Sequence, residues 1–433
     1  MSPPSVRSAQ SRPRPPRLRG QLPSAARLSG RPALADPRPP VQTGLRREPP
    51  TVESRNPDIK LYGLAWAAPG WISGGFWSTD TINYLISRLG CAKQHGLTIS
   101  YLGGWNVRGH DVNWYIQLRS ALDSAGYGFV QIVGDDSGWS VADDMASDSA
   151  FNNAVSVIGA HYPCAGGDGG SADTCSSTTT AKNNGKPLWA AENGSLDMDS
   201  GAPALIRSIV RGYVDARMTA YLNWPLAAAI YPNLPFSTVG LATANAPWSG
   251  NYAIGEDTWA TAQVTQFAQP GWTFVDSASG HLGGTESNGT YATLKSPNGS
   301  DYSTVLETTT ATAAQTVDVQ VRGGLSTGAV HVWATRVNSP GPATDFVHTQ
   351  DITPTGGAYS LTLQPGWIYT VTTTTGRARA PPPRPPSMPT HCPTATPSTV
   401  MPPAPRPRIS PTCRARSRHV RAPTGGRGSA CSR

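Results

Sequence analysis

The chain has 433 residues, 35 of them lysine or arginine and 27 acidic, and a formal net charge of +8. The positive charge is concentrated at the ends: residues 1–55 contain 11 arginines and 3 acids, and residues 377–433 contain 11 arginines and no acid. The middle therefore keeps 13 basic and 24 acidic residues, and an acidic core without a basic stripe argues against a nucleic-acid partner.

The two ends are also rich in proline, with 26 of the 41 prolines of the chain. They contain almost no periodic apolar residues, so they cannot form a hydrophobic core. Two explanations fit this composition: disordered, polyproline-like tails, or out-of-frame translation of GC-rich coding DNA. Residues 1–52 and 377–433 are therefore set apart from the predicted domains.

No stretch of the sequence approaches the ~20 apolar residues of a membrane span, so no integral membrane segment is predicted. The amino-terminal residues also lack the apolar region of a signal peptide. No group of histidines and cysteines has the spacing of a metal site, so neither a metal nor a cofactor is expected.

Two of the six cysteines, Cys164 and Cys175, lie in one glycine- and serine-rich loop. Extracellular proteins staple such loops, so a disulfide between these two residues is one outcome and a pair of free thiols is the other. Cys91 lies in an amphipathic helical stretch and is predicted to be a small buried residue.

Strand-like and helical segments alternate between residues 56 and 270. The predicted strands are residues 59–66, 98–106, 129–135, 155–162, 187–192 and 219–224. Helical stretches such as 79–95 and 110–124 lie between them, with apolar residues every three or four positions. This alternation predicts an α/β fold with a parallel sheet, a (β/α)8 TIM barrel. Six units are countable where a closed barrel has eight, so the first two strands are expected to be missing or garbled.

The pattern changes after Gly271 to short strands with alternating apolar residues, broken by glycine, proline, asparagine and serine. About 105 residues of this kind predict an all-β sandwich domain. The predicted domains are therefore a TIM-barrel domain at residues 53–270 and a β-sandwich at residues 271–376.

A barrel enzyme places its functional residues at the carboxyl ends of its strands. The residues predicted at these ends are Trp66, Asn106, Asp135, His161, Glu192 and Trp224. Asp135 and its neighbour Asp136 are interpreted as loop caps. A retaining glycosidase needs two carboxylates about 5 Å apart, one as nucleophile and one as acid/base. Glu192 supplies one, but the segment that ends at Asn106 continues with Val107, which cannot exchange a proton.

Several sequence blocks occur in a characteristic order. They are LYGLAWAAPGW (61–71), YLGGWNVRG (101–109), IGAHYP (158–163), LWAAE (188–192), APWSGNY (246–252) and TQFAQPGW (265–272). Together they resemble glycoside hydrolase family 59 over residues 53–376. The resemblance implies a retaining β-galactosidase of galactosylceramidase type, acting on galactosylceramide and related galactolipids in glycosphingolipid breakdown.

The resemblance also implies roles for single residues. Glu192 matches the nucleophile, Asn106 the residue that contacts the sugar 2-hydroxyl, and Val107 stands where the family has its acid/base glutamate. Trp66 and Trp224 match aromatic walls of the galactose pocket. The remaining candidates for substrate binding are Phe236, which replaces a tyrosine of the relatives, and His161 and Tyr162, which either contact the substrate or orient a neighbour.

Two functions stay open at this point. One is a galactosylceramidase-type hydrolase, and the alternative is a non-catalytic galactoside-binding pseudoenzyme in which Val107 leaves Glu192 without its partner. The expected partners are a galactolipid or β-galactoside substrate and, transiently, lipid surfaces. By analogy with the family, secretion is expected, with a lysosomal location in animal relatives.

Overall fold

The structure, a computed structural model, describes residues 56–164, 174–195, 197–231, 234–246, 251–339 and 343–376. The terminal segments 1–52 and 377–433, singled out by their composition, lie outside these residues. The chain forms two compact units, one ending at Gly159 and the other beginning at Ala160. The predicted domain ranges 53–270 and 271–376 stay predictions.

The first unit alternates strands and helices. Its elements are β1 (Leu61–Ala65), α1 (Thr79–Gln94), β2 (Ile99–Trp105), α2 (Val112–Ser124), β3 (Gln131–Ser137), α3 (Val141–Ser147), α4 (Ser149–Ala154) and the first residues of β4 (Val157–His161). Strand β2 pairs in parallel with β1 on one side and with β3 on the other. The parallel strands and intervening helices that the sequence pattern predicts are confirmed here.

Helix α1 shows how the sequence sets an element. Ser78 caps its amino terminus, because the side chain accepts a hydrogen bond from the Thr81 backbone N–H. Ile82, Leu85 and Leu89 repeat at helical spacing and are buried. Cys91 is exposed, so the prediction of a buried cysteine was wrong. Two residues beyond Leu89, it lies about 200° around the helix from that apolar side chain.

Two glycines in β2 let large side chains pack against the strand. A Cβ on Gly103 would lie 2.5 Å from the Tyr62 hydroxyl, and one on Gly104 would lie 2.4 Å from the Tyr115 hydroxyl. Such distances are far below van der Waals contact, so only glycine fits unless the tyrosines move. Tyr115 is fully buried, which leaves it little room to do so.

The second unit begins within β4 and has a mixed first part. This part contains α5 (Thr179–Asn183), β5 (Leu188–Asn193), α6 (Ala202–Val214), β6 (Met218–Asn223), β7 (Ala227–Ala228), β8 (Ala242–Ala246), β9 (Asn251–Ile254) and α7 (Glu256–Thr265). Strands β5 and β6 are parallel neighbours, and β7, β8 and β9 form a small separate sheet. A disulfide joins Cys164 to Cys175, which confirms the first of the two expected outcomes.

The rest of the second unit is almost entirely β-structure. Its strands are β10 (Thr273–Phe274), β11 (Gly280–His281), β12 (Thr290–Lys295), β13 (Tyr302–Glu307), β14 (Gln315–Gln320), β15 (Val330–Arg336), β16 (Val347–Ile352), β17 (Ala358–Leu363) and β18 (Trp367–Thr372). Short 3-10 helices lie at Asp276–Ala278, Leu282–Gly284 and Glu286–Asn288. The larger sheet has the order β10-β12-β13-β18-β15-β16, with β11 paired to β12, and β14 pairs with β17.

One hydrophobic core joins these two sheets. Tyr359, Leu361 and Leu363 alternate with exposed residues along β17, and they pack with Val330 and Val332 of β15. The alternation buries one face of the strand and leaves the other in solvent. Strand β16 is at the edge of the larger sheet, with β15 as its neighbour.

Helix α6 packs against this β-rich region. Leu205, Ile206 and Val210 share a buried cluster with Val305 of β13 and Ile368 of β18. Their burial removes apolar surface from water, which contributes roughly 1.5–3 kcal/mol for each large aliphatic side chain. In the described part of the chain, no helix is both long and apolar enough to cross a membrane.

Candidate active site

In the first unit, backbone hydrogen bonds tie the carboxyl ends of the strands together. The Asn106 N–H donates to Ala65 O at 2.9 Å, which joins the end of β2 to the end of β1. Trp105 Nε1 donates to Trp66 O at 2.9 Å and stacks on Phe76 with ring centroids 4.7 Å apart. Trp66 itself is 64% exposed.

Val107 follows Asn106 in a conformation that is unusual for its side chain. Its φ is +57°, a left-handed value that β-branched residues rarely adopt. The N–H of Val107 donates to Asp136 O at 3.2 Å, so the end of β3 holds this turn in place. The side chain is 45% exposed and carries no group that can give or take a proton.

The two aspartates near the end of β3 were interpreted from the sequence as loop caps, and Asp135 Oδ1 does accept the Ser137 N–H at 2.9 Å. The structure places Asp135 and Asp136 inside strand β3 and buries both. Asp135 Oδ2 lies 2.6 Å from His110 Nδ1, and His110 Nε2 lies 2.8 Å from Asp144 Oδ2. The hydrogen bond to Asp135 raises the pKa of His110, against the opposing effect of burial.

His110 is the residue of this region that the sequence reasoning missed. Its position three residues after Val107, in the loop between β2 and α2, was the available signal. Through Asp135 and Asp144, it connects the end of β3 to helix α3.

In the second unit, Glu192 lies near the carboxyl end of β5. Its side chain is 14% exposed, and Oε1 lies 3.8 Å from Nε2 of His161, the last residue of β4. That distance is too long for a hydrogen bond but close enough for electrostatic interaction. The Tyr162 N–H donates to Glu192 O at 2.8 Å, and the His161 and Tyr162 rings lie 4.8 Å apart. The structure thus brings these three predicted site residues together.

Trp224 and Phe236 form the second aromatic group of this unit. The Trp224 N–H donates to Asn193 O at 2.6 Å, which fixes the residue after β6 beside the end of β5. A Cβ on Gly194 would lie 2.5 Å from Trp224 O, so the two strand ends approach as closely as glycine allows. The Trp224 and Phe236 rings meet edge to face at 6.0 Å, and Phe236 is 52% exposed.

A buried carboxyl group anchors the loop that follows Glu192. Ser195 Oγ donates to Asp257 Oδ2, and both side chains are buried. Burial raises the pKa of Asp257 to about 8, and the negative charges of Asp197, Asp199 and Glu256 add to the effect. The Asp257 N–H also donates to Met198 O at 2.9 Å, so the first turn of α7 holds the loop at two points.

A cavity of about 390 Å³ in the first unit lies away from these residues. It is lined by residues such as Leu97, Thr98 and Phe129, and it includes Ile99, the first residue of β2. Asn106 and Val107 follow the other end of that strand. Because barrel enzymes place their chemistry at the carboxyl ends of strands, this cavity is not the candidate site.

Comparisons with known proteins show which family the sequence matches. The sequence model of the family described as "Glycosyl hydrolase family 59" matches residues 51–266. Galactocerebrosidase of Danio rerio is 34% identical over 360 residues, which are 77% of this chain and 52% of that protein. Galactocerebrosidase of Mus musculus is 33% identical over 363 residues, 78% of this chain and 51% of that protein. The chain therefore spans about half the length of these curated relatives.

A solved structure gives an independent view of the fold. A GH30 endoxylanase from Clostridium papyrosolvens matches with a TM-score of 0.55 and 18% identity, over 75% of this chain and 81% of that one. At this identity the likeness shows a shared glycoside hydrolase fold of (β/α)8 type and carries nothing about substrate. The family-model match and the two galactocerebrosidase relatives show that the chain belongs to glycosyl hydrolase family 59.

Proposed function

We propose that this chain contains the site of a galactosylceramidase-type retaining glycosidase. In this site the nucleophile is present and the acid/base is absent. Glu192 is the nucleophile, Asn106 binds the sugar 2-hydroxyl, and Trp66, Trp224 and Phe236 line the galactose pocket. His161 and Tyr162 hold Glu192 in position. The observation that carries the proposal is the contrast between Glu192, partly buried beside His161, and Val107 at the end of β2.

The two steps of a retaining mechanism depend differently on the missing group. In the first step the nucleophile attacks the anomeric carbon while the acid protonates the leaving oxygen. In the second step the same group, now a base, takes a proton from water. Val107 can do neither, so a natural alkoxide leaving group is expected to stay bound, while a leaving group that needs no proton departs. The loss of such a group typically lowers the rate by about 10²–10⁴-fold.

The alternative is a galactoside-binding relative without catalysis. The exposed tryptophan at the end of β1 and the aromatic pair after β6 favour it, since aromatic side chains bind a sugar ring without any chemistry. The two functions differ in whether Glu192 forms a covalent bond to the sugar.

The test compares two substrates and three variants. With a 2,4-dinitrophenyl 2-deoxy-2-fluoro-β-galactoside, the wild-type chain is expected to release dinitrophenolate and gain one 2-deoxy-2-fluorogalactosyl unit, located by peptide mass spectrometry at Glu192. Galactosylceramide is expected to stay intact. V107E is expected to hydrolyse galactosylceramide at least about 10²-fold faster than wild type. Its rate should also gain a second limb in the pH profile, because a second titrating carboxyl is restored.

The control is V107Q, which has the shape of the glutamate without its carboxylate and should gain nothing. E192Q should lose both labelling and turnover. Equal turnover of galactosylceramide by wild type and V107E would refute the proposal that residue 107 is the acid/base position. Galactose binding without any labelling of Glu192 would favour the non-catalytic alternative.

The proposal also covers the substrate, the cellular location and the domain organisation, which we take from the family. The substrate is a galactolipid presented at a lipid surface, with which the protein makes transient contact. The protein acts outside the cell or in a lysosome, where the disulfide between Cys164 and Cys175 is stable. The barrel comprises residues 53–270 and is followed by a β-sandwich at 271–376, a division that the common core of the β-rich sheets supports.

A further inference from the structure

Three potential metal ligands meet on one face of the β15–β16 pair. The antiparallel register places His331 opposite Asp351 and Trp333 opposite His348. His331 and Trp333 are two residues apart on β15, so their side chains point to the same face. Because paired residues also share a face, Asp351 and His348 lie there too.

A β-bulge in β16 makes this possible. His348 and Asp351 are three residues apart, and in a regular strand their side chains would point to opposite faces. The register shifts between Val332 and Trp333, so one more residue is used on β16 than on β15. That extra residue turns His348 to the face of Asp351, which is the usual effect of a bulge on side-chain direction.

The resulting cluster is compact and open to solvent. Asp351 Oδ1 lies 2.7 Å from His331 Nδ1 and 2.7 Å from His348 Nε2. All three ligand atoms lie within 4.8 Å of one another. The side chains of His331, His348 and Asp351 are 21%, 41% and 54% exposed, so an ion has access and can keep water ligands.

We propose that His331, His348 and Asp351 form a binding site for a divalent transition-metal ion, with Cu²⁺ the preferred ion. Imidazole and carboxylate suit the first-row divalent ions, and Cu²⁺ binds such ligands most tightly. Ligand atoms about 2.0 Å from a metal are roughly 2.8 Å apart in a square arrangement and roughly 3.3 Å apart in a tetrahedral one. The three ligand atoms lie within 4.8 Å of one another, so small side-chain movements bring all three to one ion.

Binding requires only local changes in the cluster. Each imidazole nitrogen that now hydrogen-bonds to Asp351 presents its lone pair to the ion, and the ring proton moves to the other nitrogen. No co-reactant is needed, and water completes the coordination. Strand β16 is at the edge of the sheet and pairs with β15 there, so an ion bound to both strands would oppose the separation of β16 from the sheet.

The sequence led us to expect no metal site, because no histidines and cysteines are spaced along the chain as metal ligands usually are. The proposed site differs from that expectation. The two histidines are 17 positions apart in the sequence and meet only through strand pairing. The site is also independent of the proposed glycosidase activity, because none of its residues belongs to the candidate active site.

The test titrates the chelator-treated full chain with CuCl₂ and measures copper retained after desalting. One tightly held equivalent is expected, with nitrogen couplings from two imidazoles in the electron paramagnetic resonance spectrum. H331A, H348A and D351A should each raise the Kd at least about 10-fold. H95A, at an exposed histidine elsewhere, should leave it unchanged. Copper should also quench Trp333, whose ring lies 5.2 Å from His348, and W333F should lose that part of the quenching.

Two outcomes would overturn the proposal. One is an equal Kd for wild type and all three ligand variants, which would place the copper elsewhere in the chain. The other is a wild-type Kd in the millimolar range, which would leave the cluster held by hydrogen bonds alone. If an alanine variant fails to fold, H331Q, which keeps the polarity and most of the size of the side chain, replaces it in the comparison.

Discussion

The buried carboxyl of Asp257 makes stability depend on pH in a direction opposite to that of most aspartates. Its pKa is raised from 3.8 to about 8, first by burial and then by nearby negative charges, while the hydrogen bond from Ser195 opposes the shift. The folded protein therefore holds this proton more tightly than the unfolded chain. The stability that Asp257 contributes is complete below about pH 4 and is lost as the pH rises towards 8.

The size of the effect follows from the shift. Each pKa unit corresponds to about 1.4 kcal/mol, so the two pH units from about 5 to 7 remove roughly 3 kcal/mol. D257N keeps the group neutral at every pH and retains an oxygen that can accept the Ser195 hydrogen bond. The variant is therefore expected to be more stable than wild type at pH 7, and the two should approach each other in acid.

Urea unfolding followed by tryptophan fluorescence at several pH values measures this difference. Other groups add their own pH dependence, including His110 with its raised pKa, so the difference between variant and wild type isolates Asp257. D58N, at an exposed carboxylate, serves as the control and should follow wild type. Parallel loss of stability in D257N and wild type between pH 5 and 7 would refute the assignment of a neutral carboxyl.

Two further substitutions test the packing around β2 by urea unfolding at fixed pH. V107G should stabilise the protein by up to about 1 kcal/mol, because the relief of roughly 1–2 kcal/mol of left-handed strain exceeds the entropy that glycine costs on folding. V112G in helix α2 is the control and should destabilise the protein. If both changes destabilise it, the backbone at Val107 is not strained. G104A should cost about 1–3 kcal/mol through overlap with the Tyr115 hydroxyl. Adding Y115F removes that hydroxyl and should recover part of the loss, and a purely additive double variant would contradict the overlap.

The sequence predicted the strands of the first unit well because they are continuous apolar runs with helices between them. Residues 98–106 were expected as a strand, and the structure has Ile99–Trp105. The prediction that Cys91 is buried was wrong although the helix that contains it was predicted correctly. Leu89 lies on the buried face, and two residues further on Cys91 lies on the opposite, exposed face. The spacing of apolar residues thus predicts that a helix forms. Whether a single residue is buried depends in addition on its angular position relative to the buried face.

The candidate site was only partly predictable from the sequence. Glu192 was expected at the end of its strand and lies there, because a short apolar run leads directly into it. The left-handed φ of Val107 could not be predicted, since β-branched residues disfavour it and the hydrogen bonds that accompany it, such as the one to Asp136 O, form between separate strands. The pairing of His110 with Asp135 also depends on the packing of a loop against a strand, which periodicity does not describe.

The turn at Val107 is fixed without any help from the side chain at that position. Three hydrogen bonds between backbone atoms hold it: Asn106 N–H donates to Ala65 O, Val107 N–H to Asp136 O, and Arg108 N–H to Trp105 O. A change of side chain at residue 107 therefore leaves the atoms of these hydrogen bonds unchanged. If residue 107 is the acid/base position, as we propose, V107E would introduce the carboxyl group while every backbone atom of these hydrogen bonds stays in place.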